Sequence, residues 1–225
     1  MAAPQIKTAP DLRGKRFGVQ SIVGSTWMYS MLGLEQLGLD PQRDKITFLP
    51  IGDPVTMAHA LETGRVDAVV LDPVLSRGLM NKGFSLLLDL FEAKVSFPGL
   101  GLGVTRAYLE KNDATVEKVV TALTESLAFI HGPSNKPIVL KSMMKNLRMT
   151  DPAAAENGYQ DHLLTLNRKP YPSLEGLSNA QRLMALQNPK IAILKIEGLI
   201  DSRFVRKLDE SGFIDELYRA DASRR

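Results

Sequence analysis

The sequence predicts an α/β fold in two parts: a complete α/β lobe over residues 13–98 and a mostly helical part over residues 99–225. Three observations carry this. Between Gly14 and Pro73, three short apolar segments each run into a polar turn that opens a helix. Repetition of strand and helix argues for a parallel or mixed sheet joined by right-handed crossovers. Beyond Phe97-Pro98-Gly99 the apolar residues recur at spacings of three and four, the period of an amphipathic helix.

The elements follow in order. Residues 1–12 are small and polar with two prolines, and read as an extended lead-in. Residues 16–20 form a strand in which Phe17 and Val19 alternate, leading through Ser21 and Gly24 into a helix near Ser25. Trp27, Met31 and Leu34 lie on one stripe of that helix, widened by Met28 and Leu32, and Gly38 is placed to end it in a left-handed cap. A second strand over 46–50 passes through Gly52 to Asp53-Pro54, an N-cap acid followed by proline at the first helical position. Met57, Ala58, Ala60 and Leu61 supply the apolar side, and Gly64 caps the end. A third strand over 67–71 ends at Asp72-Pro73, where a helix over 73–82 begins and stops at Gly83. Two more strands are expected, over 86–91 and 100–105. The rest is helical: a long helix marked by Val116, Val119, Val120, Leu123, Leu127 and Ile130, then helices over 138–147, 152–166, 179–186 and 202–208. The polar tail after Tyr218 reads as frayed.

With 225 residues, 44% hydrophobic and 24% charged, the chain is long enough for a substantial core and has an ordinary globular composition. Lysine and arginine exceed aspartate and glutamate by only 28 − 25 = 3, and the basic residues are scattered. That pattern is a solvated mixed-charge surface rather than a nucleic-acid footprint. The absence of cysteine excludes disulfides and thiolate chemistry. No apolar run approaches the roughly 20 residues of a membrane span, and the first residues lack the basic and apolar regions of a signal peptide.

Nothing in the chain points to catalysis. The phosphate-loop, nucleophile-elbow and zinc-protease patterns are all missing. His59, His131 and His162 fall on separate helices, and His59 with Glu62 lacks a third metal ligand. Gly99, Gly101 and Gly103 fail the dinucleotide spacing and read as a close-packed or hinge strand. No cofactor is implied. The residues that invite a ligand lie at the helix starts. Ser21, Gly24, Ser25 and Thr26 offer backbone N–H groups and hydroxyls to a carboxylate, sulfonate or phosphate, or serve as ordinary caps. Asp53 is an N-cap first and a ligand contact second. Asp72 either meets a ligand amine or hydroxyl, or caps the next helix. Trp27 on its apolar stripe reads as core before it reads as a stacking platform.

The segments DLRGKRFGV, SIVGST, LGLD and ALETGRVDAVVLDP, then GVTRAYLEKN and KIEGLIDSRFVRKLDESGFID, together resemble the solute-binding proteins of ABC importers. More narrowly, the chain is similar to the nitrate/sulfonate/taurine and thiamine-pyrimidine-precursor group. The resemblance implies a type II periplasmic-binding-protein fold, with one complete α/β lobe and a partial, mostly helical second lobe whose N-terminal half is absent. It also implies a small-molecule ligand, an ABC permease as partner, and a periplasmic or extracytoplasmic place of action. By the same resemblance the loop at Ser21, Gly24, Ser25 and Thr26 contacts ligand, and the loops at Asp53 and Asp72 face the same cleft. The group normally begins with a signal peptide and the first half of lobe one, so the resemblance implies an N-terminally truncated form. Two other functions share the architecture: an enzyme of the thiamine-pyrimidine-synthase type, which carries a cysteine-rich stretch this chain lacks, and a cytosolic sensor lobe.

Overall fold

Three parallel strands organise the first part of the structure, a computed structural model that describes residues 1–147 and 149–222. Arg16–Val19 (β1) lies between Thr47–Pro50 (β2) and Ala68–Val69 (β3), in the order β2-β1-β3. The register sets Val19 beside Pro50, and Gly18 beside both Leu49 and Val69. Gly18 is tightly enclosed there. A Cβ at this position would sit 3.0 Å from a Val69 methyl and 3.2 Å from one of Val66, so a larger residue would crowd the side chains between β1 and β3.

Each strand feeds a helix whose apolar stripe returns to the sheet. Ser25–Gln36 (α1) buries Trp27, Met28, Leu32 and Leu34. Trp27 is core, edge-on to Phe48 at 6.2 Å. The helix ends at Gly38, whose φ of +71° is the expected left-handed cap. Pro54–Glu62 (α2) buries Met57, Ala58, Ala60 and Leu61. Pro73–Met80 (α3) buries Leu79 and closes ahead of Gly83 at φ +87°.

The sequence misleads at three places here. Residues 1–12 are not a lead-in: Ala2, Ala3, Ile6 and Leu12 are buried in the main core. The backbone of Met1 exchanges two hydrogen bonds with Val69, at 3.0 and 2.9 Å, and Ala2 bridges antiparallel to both Ala68 and Ser85. That insertion accounts for the second miss, the strand expected over 86–91. The place beside β3 is already taken, and only Ser85 reaches the inserted segment. Downstream the chain turns instead, with the Asp89 carboxylate accepting from the N–H groups of Phe91 and Glu92. Third, residues 100–105 form no strand, and Gly99, Gly101 and Gly103 have open space around them rather than close packing.

The chain forms two compact units, Met1–Gly99 with Glu175–Ile196, and Leu100–Leu174 with Glu197–Arg225. In the first, the helix Leu174–Ala185, whose residues from Glu175 on belong to this unit, seats Ala180 and Leu183 against Val19, Trp27, Met28 and Leu32. It is held by paired Arg182–Glu35 hydrogen bonds of 2.7 and 2.8 Å. In the second, Arg106–His131 (α4) is longer than its apolar stripe foretold, because Thr105 caps it by accepting from the Tyr108 N–H. It kinks at Asn112, whose side-chain amide donates to the Tyr108 carbonyl. Lys136–Asn146 and Pro152–Thr165 pack on one another, and Arg203–Glu210 and Phe213–Ala222 pack on α4. The tail expected to fray after Tyr218 is helical to Ala222, and residues 223–225 lie outside the described part.

Candidate functional site

Because the strands are parallel, the turns after β1, β2 and β3 all leave the same edge of the sheet. Ligands in open α/β sheets bind beyond this carboxyl edge. All six residues singled out in the sequence lie in these turns or in the first helical turn after them. Strand order sets their arrangement: β1 is central, so Ser21, Gly24, Ser25 and Thr26 lie between Asp53 on one side and Asp72 on the other. Neighbouring strands are about 5 Å apart, so one small molecule can reach more than one turn.

The three helix starts are chemically unequal. Asp53 fills the N-terminus of α2. One of its carboxylate oxygens accepts from the N–H groups of Val55 and Thr56, both at 3.0 Å, and the other accepts from the Thr56 hydroxyl at 2.6 Å. These bonds, the Thr56 hydroxyl first, hold the Asp53 carboxyl below the usual carboxylate range. Asp72 caps α3, accepting from the Leu75 N–H at 3.1 Å. The capping function foreseen for both aspartates is therefore realised.

The start of α1 differs. Its N-cap is Gly24, which has no side chain to offer. Among the described residues, the N–H groups of Ser25, Thr26 and Trp27 find no acceptor. Free N–H groups at the positive end of a helix dipole are the usual anion-binding arrangement of a protein backbone. The Thr26 hydroxyl accepts from the Gln20 N–H at 2.8 Å, which ties the end of β1 to the helix and leaves the hydroxyl proton to donate. Ser25 is exposed at the mouth. Gly24 keeps the turn tight: a Cβ there would lie 2.4 Å from the Ser21 hydroxyl oxygen, which would have to turn aside, and 3.2 Å from the Ser21 carbonyl oxygen. Val23 adopts φ +69°, a left-handed conformation rare for a β-branched residue and costly to hold.

Two apolar residues at this edge were missed. Ile22, in the same loop, and Val55, in the first turn of α2, expose their side chains by 43% and 67%. The signal for Ile22 was present as an Ile-Val pair inside a turn whose other residues are small and polar. Among the described residues no group of histidine and carboxylate side chains is arranged to hold a metal. His59 and Glu62 come only to 4.0 Å, and Glu62 pairs instead with Lys82 at 2.5 Å. No helix is long and apolar enough to cross a membrane among the described residues.

Comparison with known proteins adds family and fold. Residues 1–135 match the family described as NMT1/THI5 like. No curated protein matches the chain. Among solved structures, a protein from Bordetella bronchiseptica RB50 superposes with a TM-score of 0.66 at 19% identity, over 92% of this chain and 68% of its own. The periplasmic aliphatic sulphonate binding protein SsuA from Escherichia coli gives 0.62 at 23% identity, over 89% and 67%. The alkanesulfonate-binding protein SsuA from Xanthomonas axonopodis pv. citri, bound to MOPS, gives 0.55 at 22% identity, over 86% and 64%. The expected fold is thus found: a periplasmic-binding-protein architecture, mostly helical with a small parallel sheet.

Proposed function

The chain belongs to the NMT1/THI5-like family, and from that premise we propose that it binds a small organic or inorganic anion or zwitterion for delivery to an ABC permease. The sulfonate, nitrate and pyrimidine-precursor classes are the candidates, and the place of action in this reading is periplasmic or otherwise extracytoplasmic. The residues 13–98 act as the gripping lobe. No covalent step is involved, and no residue is assigned a catalytic role.

One observation carries the reading. At the carboxyl edge of the sheet, the N-terminus of α1 is left without a protein cap, while its two neighbours are filled by Asp53 and Asp72. An anionic head group would accept from the N–H groups and hydroxyls of Ser25 and Thr26, charge-assisted bonds of the stronger kind. Ile22 and Val55 suit an apolar body, and the flanking aspartates suit a positive group carried by a zwitterion. The sulfonate ligands named for the two SsuA proteins favour that class among the three.

The test is calorimetric titration of the chain with butanesulfonate, nitrate and a hydroxymethylpyrimidine, repeated on the Ser25→Ala/Thr26→Ala double variant. At least one ligand should bind, and the double variant should lose about 1–3 kcal/mol of affinity. Unchanged affinity in the variant would remove the Ser25 and Thr26 hydroxyls from the site.

A further inference from the structure

Basic residues that lie scattered along the sequence are gathered by the fold of the first unit. Arg13 and Lys15 precede β1, which opens on Arg16; Arg43 and Lys45 precede β2; Arg65 precedes β3. Because the strands are parallel, all six stand at the amino edge of the sheet. Backbone hydrogen bonds tie the three segments together: Gly14 N–H to the Asp44 carbonyl at 2.8 Å, Thr47 N–H to that of Lys15 at 3.0 Å, and Asp67 N–H to that of Arg16 at 2.8 Å. Met1 lies beside Val69, at the carboxyl end of β3, so this edge is at the far end of the strands from both the first residue and the ligand turns. The carboxylates here are sunk beneath the cations. The Asp44 side chain is 6% exposed, whereas Arg13 and Arg43, which pair with it, are 61% and 62% exposed. Asp67 is likewise set deeper than its partner Arg16. Among the described residues, Lys15, Lys45 and Arg65 form no side-chain hydrogen bond or ion pair. Counting the exposed Asp40, the edge carries a surplus of 6 − 3 = 3 positive charges, as large as the net charge of the whole chain. Lys45 also holds φ +55°, a left-handed conformation that is costly for a residue with a side chain.

We propose that this amino edge adsorbs to an anionic phospholipid surface, with Arg13, Lys15, Arg43, Lys45 and Arg65 meeting lipid phosphates. Three features favour that occupant. The cations are spread along an edge whose strands are about 5 Å apart, a row that matches a plane of negative charge rather than one small anion. No large apolar side chain is exposed within residues 7–16, 40–47 or 62–67, so the edge lacks the apolar core of a protein–protein interface. No aromatic residue stands in those segments to stack on a nucleic-acid base. Arg13 spends only its Nε on Asp44 at 3.2 Å, which leaves its terminal N–H groups for a phosphate. A glycine in place of Lys45 would relieve the backbone strain and lose the charge. Adsorption at this edge leaves the turns at Ser25 and Thr26 uncovered, so this proposal and the ligand-binding reading stand or fall separately.

Co-sedimentation with vesicles of phosphatidylcholine carrying about 30% phosphatidylglycerol, against phosphatidylcholine alone, tests the proposal. The chain should partition to the anionic vesicles at about 20 mM salt and be released at about 300 mM, where screening shortens the reach of surface charge. Each cation removed should cost about fivefold in partition, so Lys15→Gln/Lys45→Gly/Arg65→Gln should lose about a hundredfold. Lys111→Gln/Lys118→Gln/Lys141→Gln removes equal charge from the second unit and should partition as the parent does. Lys45→Gly alone separates binding from folding: partition should fall about fivefold while the urea midpoint holds, because the left-handed backbone suits glycine. No preference for the anionic vesicles, or an equal loss in the two triple variants, would overturn the proposal. Retention on DNA or on polyglutamate without partition to the anionic vesicles would overturn it in favour of a nucleic acid or an acidic protein.

Discussion

The amino group of Met1 offers a sharp test of the sheet. It donates to the Val69 carbonyl at 3.0 Å from a partly buried position, and burial pushes its pKa down from 8.0 to about 6. An ammonium loses hydration there that one carbonyl does not replace. The unfolded chain therefore holds this proton more tightly than the folded one between about pH 6 and 8, so stability rises with pH across that window. Two pKa units correspond to about 2–3 kcal/mol. The full penalty is present below about pH 6 and absent above about pH 8. Urea unfolding should then show free energies of unfolding that climb by on the order of 2 kcal/mol across the window. The comparison is with a chain extended by Gly-Ser ahead of Met1. That extension carries the charge into solvent and leaves an amide N–H to donate to Val69. Its slope should be flatter by most of that amount. Equal slopes in the two chains would refute the burial of the amine.

Two further perturbations probe the frame that holds the site. Gly18→Ala forces a methyl against Val69 and Val66 in the centre of the sheet, and overpacking of this kind should lower the free energy of unfolding by about 1–3 kcal/mol, read by urea unfolding at neutral pH. An unchanged midpoint would mean β1 and β3 are not in contact as described. Asp44 accepts from Arg43, from Arg13 and from the Asp40 N–H, and these partners, Arg43 first, hold its carboxyl down to about 2. Its contribution is present above the ordinary carboxylate pKa of 3.8 and lost as pH falls through about 2. Asp44→Asn should therefore destabilise the chain at neutral pH and flatten the acid limb of its stability curve, and an acid limb identical to the parent would count against the pairing.

Local chemistry made the strand-to-helix turns legible, and non-local competition hid the rest. Asp53-Pro54 and Asp72-Pro73 announced helix starts because an N-cap acid and a proline at the first helical position act within three residues of one another. Gly38 and Gly83 announced helix ends for the same reason. The strand expected over 86–91 failed because its place beside β3 is occupied by residues 1–3, a contact across more than sixty positions that no local period records. The alternation of Leu100, Leu102 and Val104 suggested a strand that does not form, since period two says nothing about whether a neighbouring strand exists. At the candidate site, the Asp-Pro pairs at 53–54 and 72–73 announced their own capping, and both aspartates cap. That the start of α1 is left without a side-chain cap depends on the loop geometry around Gly24, which the small polar composition of that turn does not record.

If the proposed reading holds, that difference narrows the chemistry of the ligand. A capped helix start presents a carboxylate, and an uncapped one presents N–H groups; the order β2-β1-β3 sets the uncapped start between two capped ones. An anion with a single negative group can sit over α1 and keep its remainder apolar or positive toward Asp53 and Asp72. A compact dianion cannot do so without bringing charge toward both carboxylates, at separations where like charges repel by about 1 kcal/mol or more even under strong solvent screening. Asp53 gives no relief by protonation, because its hydrogen bonds hold it ionised well below neutral pH. In the proposed reading the edge therefore favours monoanions and zwitterions through the two helices capped by aspartate as much as through the uncapped one.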